Sequence, residues 1–196
     1  NAIASLTQKD PDRAESTVEQ LAEVFRYTLS RSDQEWVRIE DEIEFIRAYL
    51  EVEKARFGDR LQVEIRCDET IVDREIPTMM LQTLVENAVK HGVSAVKGPG
   101  RIGISVHSRG GYLHLEVTDN GPGPNLRKHK STYRKIKKIT QYGLKNIRNR
   151  LEGYFGSEAE ITLERAEEGI TRARIMMPMG LLSEKEVPGS SSRGAS

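Results

Sequence analysis

One cysteine in 196 residues, Cys67, excludes an internal disulfide framework and is compatible with a reducing compartment. It alternates with Leu61, Val63 and Ile65 and reads as core filler rather than as a reactive thiol. An excess of one charge is also lacking. Lys plus Arg and Asp plus Glu both number 30, so no global field favours nucleic acid or a membrane surface, and either partner would need a local patch. No run approaches the roughly 18 consecutive apolar residues of a spanning helix, and no signal-like segment opens the chain, which predicts a soluble fragment. A start signal is missing too: Asn1-Ala2-Ile3-Ala4-Ser5-Leu6 reads as the middle of a helix, so an upstream segment is expected to have been cut away. The length suits one compact domain with appended helices.

The apolar residues give the organisation. Asp10-Pro11 looks like an N-cap followed by proline at the first helical position, and Val18, Leu21, Ala22, Phe25 and Leu29 then follow helical spacing. A second helix is predicted from Ile39 to Phe57, closed by Gly58. One of its stripes carries Ile39, Ile43, Ile46 and Leu50, the other Phe45, Tyr49 and Val52. Two stripes imply two neighbours, either within one domain or in a helical hairpin that also pairs with another chain. A period of two then marks a strand at Leu61–Cys67. Pro77 is read as the start of a helix with an apolar face of Met80, Leu81, Leu84, Val85 and Ala88. Its other faces carry Glu86, Asn87, Lys90 and His91. Strands are predicted at 101–108 and 112–119 around Gly110-Gly111, a helix at 143–155, and strands near 159–165 and 170–178 around Glu167-Glu168-Gly169. The polar, Ser/Gly-rich stretch from about 181 reads as a disordered tail. Helices interleaved with hairpins argue for an α+β fold, with a mainly antiparallel sheet, helices on one face and the other face more exposed.

Two short motifs suggest chemistry. Glu86-Asn87-Ala88-Val89-Lys90-His91-Gly92 puts an amide oxygen, a carboxylate and a cation on a polar face. Asn87 could give magnesium its one protein oxygen, Glu86 could orient a water or an attacking group, and Lys90 could reach a phosphate. The same residues also suit a solvated face whose Lys/His pair favours the helix dipole. Asp119-Asn120-Gly121-Pro122-Gly123 ends a strand. Its carboxylate can accept from an exocyclic amine, and its glycines let backbone approach a flat ring, although these are also ordinary turn residues. Gly143 at a helix start could offer N–H groups to phosphates or serve as a joint. The order of these pieces along the chain raises the odds of a nucleotide site.

Leu81-Gln82-Thr83-Leu84-Val85-Glu86-Asn87-Ala88-Val89-Lys90-His91-Gly92 resembles the N box of the GHKL (Bergerat-fold) ATPases. More narrowly, it is similar to sensor histidine kinases of the LytS/YehU type. Asp119 to Gly123 resembles their G1 box, and Tyr142-Gly143-Leu144-Lys145-Asn146-Ile147-Arg148-Asn149-Arg150-Leu151 their last glycine box. Tyr49 to Gly58 resembles the linker of the same subfamily. The resemblance implies a Bergerat-type two-layer sandwich preceded by a partial helical hairpin. Residues 1–57 would form a dimerisation and phosphotransfer region with linker, 58–180 the ATP-binding catalytic domain and 181–196 a tail. It makes Glu86 and Asn87 catalytic, Asn87 the Mg2+ ligand and Lys90 a phosphate contact. Asp119 would bind the adenine amine, Gly121 and Gly123 would let the base approach, and Tyr142, Gly143 and Leu144 would face ATP. His91 would line the pocket or close the helix.

The implied function is the cytoplasmic catalytic portion of a two-component sensor histidine kinase, transferring the ATP γ-phosphate to an upstream histidine and then to a response-regulator aspartate. The parent would be a homodimer anchored in a bacterial inner membrane through upstream segments. The alternative is a Bergerat-fold nucleotide-binding switch without phosphotransfer. Three departures bear on that choice. Thr83 stands where the family usually has proline, and Thr140-Gln141-Tyr142 stands where it often has glycines, implying a stiffer lid. The family's accepting histidine is absent, because His91, His107, His114 and His129 lack its helical setting, so this polypeptide alone is expected to bind ATP without phosphorylating itself. The lid carries Arg127, Lys128, Lys130, Arg134, Lys135, Lys137 and Lys138 without an acidic residue. It reads as a solvated loop, as help with ATP phosphates, or as a patch for another anion. A nucleic-acid module is the weakest reading, since only Tyr133 interleaves the run.

Overall fold

The computed structural model describes residues 34–123, 142–165 and 169–182, with Glu19 and Ala22. The predicted helix from Asp10 to Leu29 (apart from those two exposed helical residues), the basic lid with His129, the turn residues 166–168 and the chain beyond 182 lie outside the described residues.

The expected α+β architecture is present. Helix α1 spans Ile39–Phe57, with Glu40, Asp41 and Glu42 in its first turn and Lys54 and Arg56 in its last, each sign opposing the helix dipole. Gly58, at φ 62°, ends it. The five-stranded sheet contains β2 (Leu61–Cys67), β4 (Gly100–Arg109), β5 (Tyr112–Asp119), β6 (Glu160–Arg165) and β7 (Thr171–Pro178), in the order β2-β4-β5-β7-β6. All neighbours are antiparallel except β2 and β4, whose parallel pairing requires the crossover that carries helix α2 (Met80–Asn87). The β4–β5 turn has φ 60° at Gly110 and 81° at Gly111, the left-handed pair that a tight hairpin demands. Helix α3 spans Tyr142–Phe155.

Period-two strands and period-3.6 helices meet in one core. Ile102, Ile104, Val106, Leu113, Leu115, Val117, Ile175 and Met177 turn to the same layer as Ile39, Ile46, Leu50, Leu81, Leu84, Leu144, Ile147 and Leu151. Phe45, on the second stripe of α1, is buried as well, and the half-buried Tyr49 stacks on it at 6.4 Å. Burial inside this body therefore takes the first stripe of α1 and Phe45 of the second, whose Tyr49 and Val52 stay half-buried. The opposite sheet face is polar. His107 and His114 stack across β4 and β5 at 5.1 Å, and Glu116 accepts from Arg174 at 2.7 and 2.9 Å. No helix among the described residues is long and apolar enough to cross a membrane.

Three features depart from expectation. A two-stranded antiparallel sheet joins β1 (Trp36–Arg38) to β3 (Glu75–Pro77), pieces too short to show a period of two. Pro77 is therefore the last residue of a strand and not the start of a helix. The next residue lies in a turn and is tied back by Thr78 N–H to Glu35 O at 3.0 Å and Thr78 Oγ1 to Gln34 O at 2.6 Å, so the helix begins only at Met80. Leu182 falls in the stretch predicted as tail, yet it is buried in the core and its carbonyl accepts from Arg74 at 3.2 Å.

Candidate nucleotide site

Helix α2 begins without a local cap. Met79 precedes it at φ 63°, and a thioether cannot accept the free N–H groups of a first turn. Glu42 of α1 supplies the acceptors instead. Its Oε1 takes the Met80 N–H at 3.1 Å, and its Oε2 takes those of Leu81 and Gln82 at 2.8 and 3.2 Å. The carboxylate is 2% exposed, and burial pushes its pKa up to about 7 against the pull of those backbone groups. Arg150 of α3 closes the same junction, donating to Thr78 O at 2.6 Å. The start of α2 is thus held from α1, from α3 and from the segment before β1.

The far end of α2 carries the polar motif. Glu86 is exposed and accepts from Gln82 Nε2 at 2.7 Å. Asn87 Nδ2 donates to Thr83 O at 2.7 Å, and among the described residues its Oδ1 takes no hydrogen bond. Beyond Asn87 the coil widens into a π turn, Ala88–Gly92, so Lys90 does not follow at α-helical spacing; it and His91 are exposed while Val89 and Gly92 face inward. Gly92 packs on Asp119, since a Cβ there would lie 2.5 Å from the carboxylate carbon.

Asp119 ends β5, level with Ile102 on β4 and Thr171 on β7. It is 8% exposed. Burial pushes its carboxyl up to about 6, while the Gly121 N–H, donating at 2.8 Å, and the Arg165 charge pull the other way. Asn120 has a structural task, accepting from Arg101 N at 2.7 Å and donating to Pro99 O at 2.8 Å. The close approach at Gly121 is made to Gly92, because a Cβ would fall 2.6 Å from that residue's carbonyl carbon and oxygen. Gly123, at φ 69°, leaves room for Arg165 Nη1, which a Cβ would meet at 2.5 Å. Gly143 sits over α2, where a Cβ would be 3.0 Å from Thr83 Cγ2 and 3.6 Å from Asn87 Nδ2. Leu144 is a core residue at 1% exposure, and Tyr142 opens α3.

The fold therefore gathers predicted residues in two linked groups, Asp119 and Gly121 around Gly92 with Gly123 against Arg165 and Thr171, and Asn87 beside Gly143, with the π turn between them. Leu144 stands apart in the core. Glu42, Gly92, Thr171 and Arg165 belong to the arrangement but were not singled out from the sequence. A signal existed for Glu42, which lies three residues from Ile39 and four from Ile46 on the buried stripe. A groove of about 830 Å³ between α1 and β2, lined by Ile43, Arg47, Ile65 and Cys67 among others, includes none of the predicted site residues. Gly121→Ala forces two backbones apart, so it is expected to cost about 1–3 kcal/mol and to abolish measurable nucleotide binding. Thermal unfolding and titration calorimetry check both parts; a variant that binds normally removes the packing argument.

Two family models match this chain. One, described as histidine kinase, covers residues 1–61, and the other, histidine kinase-, DNA gyrase B- and HSP90-like ATPase, covers residues 72–181, more than half of the chain. The chain belongs to this ATPase family. Within the family, "Sensor histidine kinase BtsS" of Escherichia coli K12 is 34% identical over 178 residues, covering 91% of this chain and 30% of that protein. "Sensor protein LytS" of Enterococcus faecalis is 32% identical over 183 residues, covering 91% of this chain and 31% of its own length. The chain thus spans about a third of these relatives. The fold matches the histidine kinase domain of the Erythrobacter litoralis EL346 blue-light activated kinase, with a TM-score of 0.55 at 16% identity over 91% of this chain and 84% of that one. It also matches the catalytic domain of histidine kinase ThkA, with a TM-score of 0.52 at 19% identity over 74% and 95%. Membership in this ATPase family implies ATP binding, and the LytS-type resemblance seen in the boxes holds along most of the chain.

Proposed function

We propose that this histidine kinase-type ATPase region serves a two-component sensor kinase, binding Mg-ATP and directing its γ-phosphate to a histidine upstream, from which a response-regulator aspartate takes it. The carrying observation is the buried Asp119, wedged between Gly92 and Gly121 at the end of β5, where its carboxylate can accept an adenine amine. Asn87 supports the metal role: the bond from Nδ2 to Thr83 O fixes its amide and leaves Oδ1 as a hard oxygen ligand. Among the described residues no group of three or more His, Cys, Asp or Glu side chains could hold a metal, so phosphate oxygens and water would supply the remaining ligands. Magnesium supplies charge neutralisation on the phosphates. Glu86, exposed and steadied by Gln82, would orient the accepting imidazole, and the exposed Lys90 and His91 would meet phosphates. Gly143, with Tyr142 and the main chain of Leu144, offers the start of α3 beside Asn87.

We also infer that the boundary of the catalytic body lies before α1 rather than after Phe57, although the histidine kinase model runs to residue 61. Glu42, Ile39, Ile46 and Leu50 of α1 are buried with the sheet and α2, which supports this boundary. Homodimerisation and membrane anchoring would then lie with segments upstream of it.

Full-length protein incubated with labelled ATP and magnesium is expected to acquire acid-labile phosphate, and Asn87→Ala to remove it. In this chain, Asn87→Ala should erase the magnesium-dependent part of nucleotide affinity by roughly tenfold or more, read as the ratio of Kd values with and without Mg2+. Saturable nucleotide binding without phosphohistidine in the full-length protein would favour a nucleotide switch instead.

A further inference from the structure

Strand β6 lies at the sheet edge, and its last residue, Arg165, pairs in register with Thr171 on β7, which in turn pairs with Asp119 on β5. Three adjacent strands therefore present Arg165, Thr171 and Asp119 in one row at the end of the sheet. The Arg165 side chain reaches along that row. Its Nη1 donates to Gly121 O at 2.8 Å and to Thr171 Oγ1 at 3.4 Å. A Cβ on Gly123 would meet Nη1 at 2.5 Å and Cδ at 3.3 Å, so the turn after Asp119 is moulded against this guanidinium. Among the described residues its hydrogen bonds go to neutral oxygens, which leaves its charge to act on Asp119.

We propose that Arg165 is a positioning and specificity-determining residue of the base-recognition end: it clamps the Gly121–Gly123 turn and sets a fixed positive charge in the row of residues that ends at Asp119, so that the site takes a 6-amino purine in preference to a 6-oxo purine. This rests on the adenine-nucleotide reading above. The chemistry is one of donor and acceptor. An ionised Asp119 can only accept, which suits an exocyclic amine, whereas a protonated Asp119 can donate to a carbonyl oxygen. Burial favours protonation, and the Arg165 charge opposes it. The groups packed on Asp119 from other elements are neutral: Gly92 from the π turn, Gly121 and Thr171. Lys90 and His91 on that turn and Arg101 on β4 are exposed.

Titrating the chain with ADP and with IDP from pH 5.5 to 8.5, in the wild type, Arg165→Gln and Arg165→Lys, tests this. Gln keeps a side-chain N–H donor but carries no charge, while Lys keeps the charge. Nucleotide phosphate ionisation is common to all three proteins and cancels in the comparison. Wild-type affinity for ADP is expected to fall as pH drops through about 6. In Arg165→Gln that midpoint should rise by roughly one pH unit, weakening ADP about fivefold at pH 6 and little at pH 8, and narrowing the preference for ADP over IDP. Arg165→Lys should keep the wild-type midpoint. If Arg165→Gln weakens ADP and IDP equally with an unmoved midpoint, the residue only braces the turn and the proposal falls. If the wild type binds neither nucleotide, the adenine-nucleotide reading itself fails. A midpoint that moves equally in Arg165→Lys also overturns the role of charge.

Discussion

Asp119→Asn is expected to weaken adenine-nucleotide binding by roughly 100-fold while leaving the fold intact or firmer. The amide has the shape of the carboxylate, so Oδ1 can still accept the Gly121 N–H now bonded at 2.8 Å, and Gly92 still fits against it. What changes is the second oxygen. An NH2 group there would face the purine amine donor to donor, losing a charge-assisted bond of about 1.5–3 kcal/mol and stranding the amine. Stability should move the opposite way. Asp119 ordinarily titrates at 3.8 and in the folded protein at about 6, so its protonated form favours folding. That contribution is complete below about 3.8 and is lost as pH rises through about 6. At pH 7 the wild type therefore carries a buried charge that Asn removes, and Tm should hold or rise by a few degrees. Calorimetric titration and thermal unfolding at pH 7 check the pair. Loss of binding together with a lower Tm would mean that the carboxylate holds the turn rather than the base.

Glu42→Ala should give the largest loss of stability among exposed or buried carboxylate substitutions in the chain. Three backbone N–H groups at the start of α2 would lose their acceptors, those of Met80 and Leu81 in a buried place. Stranded donors in a buried site cost about 3–5 kcal/mol together, or roughly 10 °C in Tm for a domain of this size. Glu42→Gln keeps one acceptor oxygen and should lose less. The pH dependence separates the two explanations of the clamp. Glu42 ordinarily titrates at 4.5 and here at about 7, so its proton-linked stability is complete below about 4.5 and disappears as pH rises through about 7. A Tm measured from pH 5 to 8 should slope downward in the wild type and less steeply in Glu42→Gln, where the Asp119 share through about pH 6 remains. An unchanged slope would show that Glu42 is ionised throughout and that its hydrogen bonds outweigh its burial.

These two carboxylates differ in how legible they are. Asp119 stands in a recognisable Asp-Asn-Gly-Pro-Gly string at the end of a clean alternation, so its position and its chemistry are both local. Glu42 stands among acidic neighbours in a first helical turn, where a solvated charge is the ordinary reading, and only the arrival of α2 from 38 residues later makes it an acceptor. Arg165 is the same kind of case, because its partner Gly121 lies 44 residues away and the two meet only when β6, β7 and β5 align. Pro77 misleads for a related reason: proline at a helix start is a sound local rule, overridden here by Thr78's bonds to Gln34 and Glu35.

The sequence by itself determined the class of fold, the identities of α1 and of the five strands of the main sheet, the hairpin at Gly110-Gly111 and the boxes that place the chain among histidine kinase-type ATPases. Those features are carried by periodicity, by glycines that need a left-handed backbone and by contiguous motifs, all of which act over a few residues. Only the tertiary structure decided that β2 runs parallel to β4, that β1 and β3 pair, that Gly121 is small for the sake of Gly92, and that α1 caps the helix bearing Asn87. Each of those depends on backbone or charged groups brought together from distant segments, where satisfying a buried polar atom, and not any local preference, selects the partner.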